Sequence, residues 1–104
     1  MTRIASTSVS KATGVTTPKV DNLVIAAADT EQSFTFPLKT KSFLIQPRGN
    51  SKLRLSYAAG MSGTDFYTIR SGAFYGESGI DADTTTIYVQ SPQAGLVVEL
   101  VSWS

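Results

Sequence analysis

From residue 22 onward, apolar positions recur at every second residue in short runs separated by turn residues. That spacing predicts β-strands, because successive side chains of a strand point to opposite faces. The last stretch, residues 85–103, carries the strongest signal. Its two runs flank Ser91-Pro92-Gln93-Ala94-Gly95, where Pro fixes one φ and Gly permits another, so a β-hairpin is expected. On the second run Leu96, Val98 and Leu100 fall on one side. Val97, Glu99, Val101 and Trp103 fall on the other, so both faces are largely apolar. Such a strand calls for cover on both sides, from a facing sheet and from a further layer or a second subunit.

Residues 22–26, 31–36, 42–46, 52–57, 66–70 and 73–76 form the earlier runs. In the second, Phe34 and Phe36 alternate with Ser33 and Thr35. Pro47 is expected to close the third. The fourth places Leu53, Leu55 and Tyr57 opposite Lys52, Arg54 and Ser56. Ser71-Gly72 predicts a tight turn joining the fifth and sixth runs as a short hairpin. No segment of ten residues has helical period, so the expected fold is all-β with seven or eight strands. The expected architecture is a two-sheet antiparallel β-sandwich, jelly-roll-like, over residues 21–104. Arg54 is the expected partner of Glu99, the alternative being that both side chains stand in water.

Residues 1–20 have a different texture, rich in Ser and Thr with isolated apolar positions. So little apolar surface does not offset chain entropy. Two readings follow, a tail without a fold of its own or an extended arm ordered against another subunit. In the second, Arg3, Ile4, Val9, Lys11 and Val15 are candidate interface residues, joined by Val97, Val101 and Trp103 of the last strand. Extended, the arm reaches roughly 60–70 Å.

Charge sharpens that division. The formal net charge is +1. Arg3, Lys11 and Lys19 stand in the arm without an acid, whereas the rest of the chain has more acidic than basic residues. The basic residues of the body form no single run, which argues against nucleic acid as a partner. No apolar run is long enough for a membrane span, and no signal-peptide core is found. Neither a membrane partner nor signal-directed secretion is expected.

The chain has no cysteine, and histidine is absent too. Without them there is no disulfide, no thiolate metal site, and none of the commonest general base. Gly60-Met61-Ser62-Gly63 and Gly76-Glu77-Ser78-Gly79 are each one residue short of a nucleophile elbow. Asp81 and Asp83, with Glu77 nearby, offer the only pattern for paired carboxylates or Ca²⁺, and their spacing equally suits turns. No catalytic residue, metal site or cofactor is therefore assigned. Tyr57, Phe66, Tyr67, Phe74, Tyr75, Tyr88 and Trp103 divide between core and interface on one reading, and include a platform for sugar rings on the other.

One resemblance runs through residues 43–103. A Leu-x-Leu-x-Tyr strand leads into Ala58-Ala-Gly-Met-Ser-Gly63, then Phe66-Tyr67-Thr68-Ile69, Gln90-Ser91-Pro92 and Gly95-Leu-Val-Val-Glu-Leu. In these features the chain resembles small β-rich virion structural proteins of tailed bacteriophages, of the capsid decoration (cement) type. The resemblance implies a non-enzymatic protein that forms homo-oligomers, with trimers favoured, and binds the lattice of the major capsid protein. A neck, tail or fibre component and a glycan-binding module are the alternatives. A hydrolase using Asp81, Asp83 and Glu77 is a further one.

Overall fold

The computed structural model describes residues 17–104. Among these there are eight strands and no helix. They are β1 (Pro18–Val24), β2 (Gln32–Thr35), β3 (Ser42–Arg48), β4 (Leu53–Ser56), β5 (Tyr67–Ile69), β6 (Tyr75–Glu77), β7 (Thr86–Gln90) and β8 (Val97–Trp103). Two four-stranded antiparallel sheets result, in the orders β1-β8-β3-β6 and β2-β7-β4-β5. Only β4 and β5 are consecutive strands that pair with each other. Every other connection changes sheet.

That topology corrects two expectations. Residues 85–103 do not form a hairpin, since β7 lies between β2 and β4 whereas β8 lies between β1 and β3 in the other sheet. The turn residues encode a reversal of the chain, but residues 91–96 are too many for a tight hairpin loop. They carry the chain from one sheet to the other rather than across the spacing of about 4.8 Å between paired strands. The crossing is tied down by hydrogen bonds from Gly95 N to Ile25 O, Ile25 N to Leu96 O and Asp29 N to Ser91 O, at 2.7, 2.8 and 2.8 Å. Gly95 makes the corner with φ +85°, a conformation that disfavours a side chain. The hairpin expected at Ser71-Gly72 fails for the same reason. β5 pairs with β4, and residues 70–74 carry the chain across to β6 beside β3.

Strand ends also moved. Pro47 lies within β3, buried and opposite Val98. Its missing N–H is tolerated because β6 pairs only with Phe43, Leu44 and Ile45, leaving that side of Pro47 without a neighbouring strand. Pro18, Lys19 and Val20, at the end of the expected arm, form the first part of β1 opposite Trp103, Ser102 and Val101. Tyr57 follows the end of β4 and is 48% exposed.

Alternation within the strands fills one core. Phe43, Ile45, Val98 and Leu100 point inward from the first sheet, and Leu53, Leu55, Ile69, Ile87 and Val89 from the second. Phe36, just after β2, stacks on Phe43 with ring centroids 4.4 Å apart. Offset stacking of this kind adds about 0.5–1.5 kcal/mol beyond the area buried.

Candidate functional site

An antiparallel sheet with one face on the core ordinarily turns polar residues to water on the other. The sheet β1-β8-β3-β6 departs from that rule. Its registers arrange the outward side chains in rows, of which one is Val20, Val101, Leu44 and Gly76. Pro18 and Trp103 continue the apolar surface on one side, and Val24 and Val97 at the other end. Val20 is 69% exposed and Val24 53%. Gly76 leaves room here, because an added Cβ would stand 2.5 Å from Cδ2 at the flexible end of Leu44, which leans over its bare backbone.

A polar row crosses this apolar surface. Asn22, Glu99 and Gln46 are cross-strand neighbours, with Arg48 one row further. The Gln46 amide donates to Glu99 Oε1 at 2.6 Å, and Arg48 Nε donates to Glu99 Oε2 at 2.7 Å. Arg48 Nη2 also donates to Asn22 Oδ1 at 3.3 Å. The Gln46 hydrogen bond first, and that of Arg48 second, hold the Glu99 carboxyl below the usual carboxylate range. Phe74 completes one side of a groove of about 440 Å³ whose floor is this row and the valine–leucine row beside it. The surface therefore combines apolar contact area with a fixed carboxylate and guanidinium. Such a mixture suits a protein interface better than a reaction centre.

Val97, Val101 and Trp103 all lie on this face, partly buried, while Val98, Leu100 and Ser102 between them are fully buried. Arg3, Ile4, Val9, Lys11 and Val15 lie outside the described residues. The expected Arg54–Glu99 pair is not formed. Arg54 belongs to β4 in the other sheet, where it approaches Asp29 at 3.8 Å and lies 5.1 Å from the ring centroid of Phe66. Strand alternation alone does not say which sheet a charge belongs to, and Arg48 takes the role because β3 borders β8. Val20, Val24 and Leu44 are not among the candidates from the sequence, and Phe74 is there only as one of the seven aromatics divided between core and interface or a sugar platform. Leu44 was detectable in principle, as the apolar residue out of phase with Phe43 and Ile45. Val20 and Val24 gained meaning only through the register with β8.

Of the other candidate chemistries, the serine motif at Ser62 has a structural duty. Ser62, fully buried, donates its hydroxyl to Glu31 Oε1 and accepts from Gln90 Nε2 at 3.0 Å. Glu31 also accepts from Gly60 N and Ser62 N, at 2.7 and 3.0 Å. The Ser62 hydroxyl, followed by those two N–H groups, keeps the Glu31 carboxyl below its ordinary range. This network fastens the loop between β4 and β5 over the outer face of the second sheet. Asp81 and Asp83 are exposed, and among the described residues no three acidic side chains converge as metal ligands would.

In comparisons with protein-family models, with curated proteins and with solved structures, nothing matches the chain.

Proposed function

We propose that the protein is a non-enzymatic structural component of a tailed-phage virion, a capsid decoration protein that forms homotrimers and stabilises the shell from its outer surface. The body is a jelly-roll β-sandwich on this reading. Support for the jelly roll comes from the strand orders β1-β8-β3-β6 and β2-β7-β4-β5 with nearly every connection changing sheet, the pattern of paired Greek keys. One observation carries the function: the outer face of the first sheet is apolar where a solvated sheet is polar, from Val20 through Val101 to Leu44.

Burial of a few hundred Å² of such surface contributes several kcal/mol at roughly 25 cal/mol per Å², before association costs. For a small body that is a substantial addition to its own core. Residues 1–16 join β1 beside Trp103, where Thr17 and Ser104 exchange backbone hydrogen bonds. The described chain thus begins at one edge of the apolar face, and on this reading the preceding residues 1–16 tether the body to a shell.

The test adds purified full-length protein to parent shells that lack it. Saturable binding at a fixed copy number, raised resistance of the shell to heat, and loss of binding on deletion of residues 1–16 are expected. Protein that stays in the supernatant overturns the shell role. Equal binding with and without residues 1–16 overturns the tether alone. Immunogold labelling of whole particles separates the capsid from a neck, tail or fibre position.

A further inference from the structure

At the edge away from β1, the two sheets are joined by aromatic side chains that the assembly face does not use. β5 ends one sheet and β6 the other. Tyr67 of β5 and Tyr75 of β6 meet across the gap with ring centroids 5.1 Å apart and planes inclined by 49°. Tyr57 adds a third ring, its hydroxyl 3.3 Å from that of Tyr75. Tyr75 is braced from beneath by Phe43, at 6.2 Å between centroids. Tyr67 is nevertheless 56% exposed.

We propose that Tyr57, Tyr67 and Tyr75 form a binding site for a pyranose saccharide, beyond the assembly role and on a different part of the surface. A pyranose has an apolar C–H face and a rim of hydroxyls. The cluster offers the complement of each. An exposed ring can carry the C–H face, and tyrosine combines an apolar body with a polar tip. The two neighbouring phenol oxygens can donate to and accept from a vicinal diol, whose oxygens lie a similar distance apart. Burial, and then the Tyr75 hydroxyl, push the Tyr57 hydroxyl pKa upward, so it keeps its proton as a donor at neutral pH.

The exposure of the rings supports a ligand over simple closure of the core, which the chain fills with Phe36 and Phe43. At this edge it uses tyrosine three times and leaves two of the rings about half exposed. In the first sheet β6 is also the strand farthest from β1.

The test uses isolated full-length protein, with no shell present, and follows tyrosine ring resonances by NMR. Methyl glucoside, methyl mannoside, methyl galactoside, maltohexaose, cellohexaose and chitohexaose are each titrated to millimolar concentration. Saturable shifts of the Tyr67 and Tyr75 rings with at least one probe are expected. Tyr67→Ala, and separately Tyr57→Phe, should each weaken that binding about tenfold, as expected for loss of one stacking or hydroxyl contact. Tyr57→Phe keeps the ring and guards against misfolding as the cause. No saturable shift with any probe overturns the site. A shift that survives both substitutions unchanged overturns the assignment to these residues, and ring shifts that follow protein dilution alone mark a self-association surface instead. Since no shell enters the experiment, failure here leaves the assembly role to its own test.

Discussion

The outer faces of the two sheets are built to opposite rules. On the second sheet, Ser33, Thr35, Thr86, Arg54, Ser56 and Thr68 point outward, in the alternation expected of a solvated sheet. Where that face is buried, the chain covers it with its own loop, and Ser62 meets Gln90 while Glu31 grips the loop backbone. The first sheet has valines, a leucine and a tryptophan in many of the equivalent places, crossed by the polar row of Asn22, Glu99 and Gln46, with no covering loop among the described residues. One face is finished within the monomer by polar contacts. The other is left apolar along its valine–leucine row, and the proposed assembly surface rests on that contrast rather than on exposure of any single residue.

The largest effect should come from charging the open face. The pair Leu44→Lys with Val101→Lys puts two ammonium groups into the apolar row, and burying either without a partner is prohibitive. Light scattering coupled to size exclusion should show an oligomer becoming a monomer, with dissociation constants rising at least about a hundredfold. Because both side chains face outward, the monomer's thermal midpoint should stay within about 4 °C of its former value. The same double change at Ser33 and Thr35 of the second sheet should leave the oligomer intact. If both pairs act alike, the contrast between the faces has no functional content.

Next in size is the polar cover. Ser62→Ala removes an acceptor from the buried Gln90 amide and a donor from Glu31. An unsatisfied buried group costs about 1–3 kcal/mol. Urea unfolding should show that loss without a change in assembly. A variant with wild-type stability would mean that the loop does not need this anchor.

Much of this contrast was legible in the residues themselves. The alternation Leu53-Arg54-Leu55 and the doubly apolar Val97–Trp103 strand mark inward positions of the core and the unusual face. What alternation could not supply was sheet membership. Ser91-Pro92-Gln93-Ala94-Gly95 signals a reversal equally well for a hairpin and for a crossing between sheets, and the choice depends on non-local pairing with Ile25 and β1. The Glu99 partner failed at the same step. Either Arg54 or Arg48 suits a carboxylate partner by sequence, and the two are distinguished only by which sheet their strand enters. Gly76 was read as part of a weak serine motif, although its purpose is to leave room for Leu44.

Acid separates the faces by a smaller margin. Glu31 and Glu99 both have carboxyl pKa values lowered by folding. A lowered folded value means that the stabilisation is fully present above the unfolded pKa, about 4.3 for glutamate, and is lost as pH falls through the lower folded value. Glu31→Gln and Glu99→Gln should therefore each weaken the protein near neutral pH, and the difference from wild type should shrink below about pH 4. Glu31 should matter more, because it holds three donors including the buried Ser62 hydroxyl. A difference that persists undiminished into acid would show that the carboxylate charge is not what the partners hold.

The smallest expected change tests the fit between Gly76 and Leu44. In Gly76→Ala the new methyl would overlap Leu44 Cδ2 and come within 3.3 Å of Phe43 O. The leucine end is flexible and 37% exposed, so it can swing aside. The cost to folding should accordingly lie below the usual range for overpacking, about 1–3 kcal/mol. Swinging Leu44 outward roughens the row it shares with Val20 and Val101. Assembly should then weaken several-fold while the urea midpoint moves little. Were stability to fall instead with assembly unchanged, Gly76 would be serving the backbone of β6 alone, and Leu44 would have no place in the contact surface.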